Sequence, residues 1–188
     1  GLEMHTNQVD CLLGPGMNIH RHPLNGRNFE YFSEDPYLTG EMASAELAGL
    51  HSTGAEGTIK HFCGNNRETR RHFLDSVISE RALREIYLRG FENAVKKGGA
   101  KSVMTTYGQV NGVWTAGNYG LVTGILRDDW GFDGFVVTDW GADNDHALGV
   151  KNGSNLVMPA PGPDAAIGLV NAVKEGRVSE ADLDERLK

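Results

Sequence analysis

The sequence predicts an α/β protein in which parallel strands alternate with helices, and three observations carry that prediction. Apolar runs of strand length recur at residues 9–13, 57–62, 102–107, 135–139 and 155–158. Segments with helical spacing of apolar residues lie between most of them. Each run also ends in polar or glycine-rich sequence. Regular alternation of this kind means β/α units rather than a sandwich or a bundle. About five strands are too few to close an eight-stranded barrel, for which about 250 residues is typical. The 188 residues therefore read either as a compact open sheet or as part of a TIM-type (β/α) barrel, and the second is favoured. A half barrel would leave strand edges and apolar faces bare, so completing segments are expected in the same polypeptide or in another chain.

Taken in order, the first run, Val9-Asp10-Cys11-Leu12-Leu13, opens into Gly14-Pro15-Gly16-Met17-Asn18-Ile19-His20-Arg21-His22-Pro23. A polar, aromatic loop over residues 25–36 follows, and Glu41 to His51 reads as a helix. The second run ends in Lys60-His61-Phe62 and leads into a charged loop, Asn65-Asn66-Arg67-Glu68-Thr69-Arg70-Arg71-His72, too poor in apolar residues to pack by itself. Ser79 is a good N-cap for a helix with Leu83, Ile86, Tyr87, Gly90 and Ala94 on one face. Arg81–Glu85 and Glu85–Arg89 are spaced to pair on the opposite face, and Gly98-Gly99 ends the helix. After the third run a helix over 118–130 would bury Leu121, Val122, Ile125 and Leu126. Beyond the fourth and fifth runs, one helix extends from Asp164 through Ile167, Val170 and Val173, and Ser179 caps a last one carrying Leu183 and Leu187.

Composition narrows the function. Eighteen Lys+Arg against 25 Asp+Glu give a net charge of −7, which makes nucleic acid a poor partner. No apolar run is long enough to cross a membrane, and the first residues lack the order of a signal peptide. Cys11 and Cys63 are too few for a disulfide scaffold. The sequon Asn152-Gly153-Ser154 is a weak sign of secretion, so a cytoplasmic and a secreted location both stay open. Gly14-Pro15-Gly16 lacks the further glycine and lysine of a phosphate-binding loop, and no serine sits in a nucleophile elbow.

In parallel β/α folds, ligands lie at the C-terminal ends of the strands. There the chain offers Lys60 and His61, then Tyr107, then Asp139 and Trp140: a cation, an imidazole, a phenol, a carboxylate and an indole. Asp139 is the hardest to explain structurally, because an unpaired charge at the end of a buried strand is costly. Trp140 offers an apolar face of the kind that stacks on a sugar ring. Arg27 could fork hydrogen bonds onto hydroxyls or a carboxylate, or simply pair with Glu30 or Glu34. Arg71 is the member of the charged loop best suited to touch a ligand.

These residues lie in stretches that resemble glycoside hydrolase family 3, its β-glucosidase branch in particular. The matching segments are Leu12 to Glu34 (LLGPGMNIHRHPLNGRNFEYFSE), Lys60-His61-Phe62, Ser79 to Phe91 (SERALREIYLRGF), Val103 to Tyr107 (VMTTY) and Trp130 to Ala142 (WGFDGFVVTDWGA). The resemblance covers essentially the whole chain, as the middle and C-terminal portion of the family's catalytic barrel domain. It implies a retaining β-glycosidase, a β-glucosidase foremost, acting on a β-glucoside or short β-gluco-oligosaccharide without metal or cofactor. Asp139 would be the nucleophile. Arg27, Lys60, His61 and Arg71, with Arg67 as the alternative to Arg71, would bind sugar hydroxyls, Tyr107 would sit near the nucleophile, and Trp140 would wall the subsite. The family's acid/base, a glutamate of a following α/β sandwich domain, is not expected in this chain, so the isolated chain is expected to be inactive.

Retaining hydrolysis requires two carboxyl groups about 5–5.5 Å apart, one attacking and one protonating the leaving oxygen. Asp139 must be ionised, and Lys60, Arg27 and His61 would help keep it so. Three rivals remain. A metal-dependent barrel hydrolase would use His20, His22 and Asp139, with Lys60 bridging two ions. Schiff-base chemistry would use Lys60. A carbohydrate-binding or structural subunit would keep the pocket without turnover.

Overall fold

The computed structural model describes residues 1–188. In chain order the elements are α1 (Leu2–Thr6), β1 (Cys11–Leu12), α2 (Pro36–His51), β2 (Glu56–Phe62), β3 (Asp75–Ser76), α3 (Glu80–Ala82), α4 (Arg89–Lys96) and β4 (Ser102–Thr105). They continue with β5 (Gln109–Val110), β6 (Val113–Trp114), β7 (Phe135–Val137), α5 (His146–Lys151), α6 (Pro163–Lys174) and α7 (Glu180–Leu187). Wide helical turns occupy Leu83–Tyr87 and Gly120–Asp129.

The main sheet runs β1-β2-β4-β7, parallel throughout, which is a partial (β/α) barrel. Four of the five expected strands pair in it, β1, β4 and β7 over shorter spans than expected and the first over two residues, Cys11 and Leu12. The fifth is reduced to one bridge, Leu156 with Val137. A small sheet of β3, β5 and β6 lies apart from it, and its two-residue strands carry too little periodicity to be read from sequence.

Pairing of β2 with β4 contains an irregularity that matters for the site. Ile59 pairs with Val103, yet Phe62 pairs with Thr105, so β2 spends one residue more than its partner. A bulge of this kind breaks the strict alternation of side chains. Lys60 and His61 lie within it, at the C-terminal end of β2.

Helix α2 begins five residues earlier than its alanine-rich body suggested. Asp35 accepts the amides of Tyr37 (2.7 Å) and Leu38 (3.3 Å), and Pro36 takes the first helical position, where its missing N–H costs nothing. Helices α2 and α4 approach closely because Gly40 faces Asn93; a Cβ on Gly40 would lie 2.8 Å from that of Asn93. Ser79 caps the next helical segment, accepting from the Ala82 amide at 3.4 Å. The wide turn that follows, in which Leu88 N–H donates to Leu83 C=O, adds a residue and rotates the buried stripe. Leu83, Leu88, Phe91 and Ala94 are buried, whereas Ile86, expected on that face, is 40% exposed. Arg81 pairs with Glu85 as expected, but Arg89 turns to Glu92 instead.

Phe62 anchors the main core, with Phe91 at 5.3 Å and Trp130 at 6.0 Å, both edge-on. Leu121, Val122, Ile125 and Leu126 join it as the sequence predicts. A second, smaller cluster of Ala147, Val150, Ala172 and Val178 joins α5 to α6 and α7. Ile167 and Val170 of α6, and Leu187 of α7, stay largely exposed. The Ser179 cap is a reciprocal box with Asp182. The sequon is built into the fold: Asn152 donates to Gly117 C=O at 2.7 Å and Ser154 to Ala116 C=O at 2.7 Å. No helix is long and apolar enough to cross a membrane.

Candidate active site

Polar residues from the ends of β1, β2, β4 and β7 converge at one end of the main sheet. His61 is its most enclosed member, 1% exposed. Its backbone is gripped by Asn18, whose Oδ1 accepts the His61 amide and whose Nδ2 donates to the His61 carbonyl, both at 2.9 Å. Nδ1 lies 3.1 Å from the Tyr31 hydroxyl and 3.2 Å from Asn18 Oδ1, while Asn65 Nδ2 donates to that hydroxyl at 3.2 Å. The other ring nitrogen, Nε2, faces Asp139 Oδ2 at 3.6 Å, too far for a good hydrogen bond. Burial, and then the positive charges of Arg27, Lys60 and Arg71, push His61 well below the usual imidazole range. It is therefore a neutral group beside Asp139 rather than half of an ion pair.

Lys60 and Arg27 meet at Glu30. Lys60 Nζ lies 3.1 Å from Glu30 Oε2, and Arg27 Nε donates to Glu30 Oε1. Burial drives the Glu30 carboxyl upward, but its hydrogen bonds to Arg27 and Lys60 outweigh that and hold it below the ordinary range. The Arg27–Glu30 pair foreseen as the plain alternative thus exists, half-buried and joined to Lys60.

Asp139, 6% exposed, follows β7. Its Oδ1 accepts the Trp140 amide at 2.8 Å, and its Oδ2 is buried without a hydrogen-bond partner. Burial raises its carboxyl above the ordinary range, partly opposed by the Trp140 amide, Tyr107, Arg27 and Arg71. Of the three residues expected to keep Asp139 ionised, Arg27 does so by charge. His61 is neutral, and the Lys60 charge is met by Glu30.

Tyr107 is buried just past β4, its ring against the Arg71 guanidinium at 4.5 Å and the His72 imidazole at 4.2 Å. Burial, and then the Asp139 charge, raise its phenol. Arg71 is steadied by Glu68 at 2.7 Å. Trp140, 39% exposed, stands at the lip. All seven residues singled out from sequence thus lie around this end of the sheet. Arg67 instead borders a neighbouring cavity of about 600 Å³ together with Arg21, His22 and Asn66. His20 and His22 do not converge with Asp139: His20 Nε2 meets the Tyr31 carbonyl at 3.0 Å, and His22 Nδ1 accepts the Leu24 amide at 3.1 Å.

Sequence reasoning missed Asn18, Glu30 and Tyr31 as members of the cluster. Asn18 sits in the run from Gly14 to Pro23 that leaves the first strand, Tyr31 in the polar, aromatic loop after it, and Glu30 three residues from Arg27, the spacing that named it as a partner.

The whole chain, residues 1–188, matches the glycosyl hydrolase family 3 N-terminal domain. A β-glucosidase of Ruminococcus albus is 62% identical over 194 residues, covering 97% of this chain and 20% of that protein. An exo-α-(1→6)-L-arabinopyranosidase of Bifidobacterium longum is 49% identical over 182 residues, covering 97% of this chain and 24% of that protein. The crystal structure of β-glucosidase 3B from Thermotoga neapolitana with glucose superposes with a TM-score of 0.94 at 49% identity, covering 98% of this chain and 27% of that one. The chain spans a fifth to a quarter of the length of these curated relatives.

Proposed function

Because the chain belongs to glycosyl hydrolase family 3, we propose that it is the substrate-binding and nucleophile-bearing part of a retaining β-glucosidase. The observation that carries this reading is Asp139: a buried carboxylate with one oxygen fixed by the Trp140 amide and the other without a partner, among neutral and cationic donors. In the proposed reaction Asp139 Oδ2 attacks the anomeric carbon, the glycosidic bond breaks, and a glycosyl ester forms on Asp139. Arg27, Lys60, His61 and Arg71 hold the sugar hydroxyls and so keep the anomeric carbon in line with Asp139, whose carboxylate meets the positive charge that develops at the ring. Tyr107 sits near Asp139, and Trp140 walls the sugar. Loss of the ester to water regenerates the carboxylate.

The leaving oxygen needs a proton from a second carboxyl group. Glu30 is unsuited, since Arg27 and Lys60 hold it ionised. The acid/base therefore comes, in this reading, from the α/β sandwich domain of the same polypeptide or a companion chain, which also carries the rest of the barrel. The isolated 188 residues should not turn over a glycoside. Full activity of that chain alone would overturn this part of the reading.

The test is the anomeric form of the first product. The complete enzyme, given an aryl β-D-glucoside and followed by NMR, should release β-glucose before mutarotation, whereas α-glucose first would contradict retention. An aryl α-L-arabinopyranoside run in parallel separates glucosidase specificity from that named for the Bifidobacterium relative.

A further inference from the structure

Glu30 has no part in the bond-making described above, yet it occupies the centre of the cationic side of the cluster. Its carboxylate is divided between two elements. Oε1 accepts from Arg27 of its own turn, and Oε2 lies 3.1 Å from Lys60 of β2. The three side chains are 19%, 17% and 15% exposed, so water does little to screen them. Two cations brought together without an anion would repel, and Lys60 would regain rotamer freedom that its site cannot use. With Glu30 present, Arg27 spends Nε and keeps four N–H groups, while Lys60 spends one donor and keeps two.

The backbone that carries this carboxylate is hemmed in from behind. Gly16, bridged to Lys60, leaves no room for a Cβ, which would lie 2.9 Å from the Glu30 carbonyl and 3.1 Å from the Tyr31 ring. Tyr31, the next residue, reaches His61. One short turn, Asn28–Glu30, is thus flanked and occupied by the groups that contact Lys60 and His61.

We propose that Glu30 is a positioning residue for glycoside hydrolysis, holding Lys60 and Arg27 so that their remaining donors meet the sugar hydroxyls, without touching the sugar itself. The proposal rests on the reading of this cluster as the sugar subsite.

The test compares Glu30→Gln and Glu30→Asp with wild type in the complete enzyme, on an aryl β-glucoside. An amide offers one acceptor oxygen and one NH2, so in Glu30→Gln one of the two cations faces a donor. Misplacement of about 1 Å costs about 100-fold, and kcat/KM of Glu30→Gln should fall by about that factor, mostly in kcat, with a lower thermal midpoint because two half-buried cations lose their anion.

The pH profile gives a readout that a merely structural role would not move. Glu30 is faced by Arg27 and Lys60; Asp139 is faced by His61, Tyr107, Arg27 and Arg71. With Glu30 neutral, the uncompensated cations favour ionised Asp139, so the acid limb of kcat/KM moves to lower pH in Glu30→Gln. Glu30→Asp keeps the charge, and should leave that limb in place and recover part of the rate. Wild-type kcat/KM in Glu30→Gln overturns the proposal, as does a loss with an unmoved acid limb and no recovery in Glu30→Asp. Labelling of wild-type Asp139 by an activated 2-deoxy-2-fluoroglucoside separates the two levels. Labelling with an indifferent Glu30→Gln removes the Glu30 proposal alone, and a wild type that neither labels nor hydrolyses removes the subsite reading with it.

Discussion

The two sides of the site are built on opposite principles. On the side formed after β1 and β2, the donor groups are tied to protein partners: Lys60 and Arg27 to Glu30, His61 to Asn18 and Tyr31. On the side formed after β7, Asp139 has one oxygen tied and the other buried without a partner. Donors that must orient a sugar work best when fixed beforehand, since no reorganisation is then needed at the moment of reaction. A nucleophile, by contrast, needs a free electron pair, and keeping one out of water costs the fold stability.

Removing the proposed nucleophile should have the largest effect and the clearest contrast. Asp139→Asn should lower kcat on the order of 10⁴-fold or more, measured with an aryl β-glucoside. The same substitution should raise the thermal midpoint at neutral pH. The sign follows from linkage. Burial lifts the folded-state pKa of Asp139 above its unfolded value, so its favourable contribution is present below the unfolded pKa and lost as pH rises through the folded pKa. Above both, the ionised carboxylate is a cost that Asn does not carry. Inactivation together with a lowered midpoint would mean that Asp139 is structurally satisfied.

Lys60→Ala should come next, with kcat/KM down by about 100-fold, as for loss of one preorganised donor. It should also leave the Glu30 carboxylate half-partnered, so the thermal midpoint should fall rather than rise. A rise would show that the two sides are not opposite in kind. Gly16→Ala tests the support beneath the donor side. The added methyl meets the Glu30 carbonyl and the Tyr31 ring, at an overpacking cost of about 1–3 kcal/mol by denaturant unfolding, with a smaller loss of kcat/KM than Lys60→Ala. The mildest effect is on pH. The acid limb of wild-type kcat/KM should lie above the ordinary carboxylate range, because burial dominates at Asp139. A limb below that range would mean that Arg27 and Arg71 outweigh burial.

The side carrying Asp139 was the more legible in sequence. A carboxylate directly after Phe135-Val136-Val137-Thr138 stands out by its own strand, with no need to know its neighbours. Lys60 and His61 were visible too, although simple alternation in β2 would have sent them to opposite faces; the bulge between Ile59 and Phe62 removes that conflict. Tyr31 and Asn18 were not legible, and of Glu30 only its pairing with Arg27 was, because the rest of their meaning comes from partners on another element, reached through a 3₁₀ turn or an irregular loop with no period of its own. Helix phase failed for a similar reason. The Leu83–Leu88 hydrogen bond inserts a residue that no 3.6-residue pattern anticipates, and so Ile86 faces outward while Leu88 is buried.

The measurement that tests the central claim most directly is the site of covalent labelling. The complete enzyme is treated with 2,4-dinitrophenyl 2-deoxy-2-fluoro-β-D-glucoside, digested, and its peptides are mapped by tandem mass spectrometry. The account predicts one fluoroglucosyl increment, on the peptide bearing Asp139 and on that carboxylate. An increment on any other residue, or one that persists in Asp139→Asn, would contradict it.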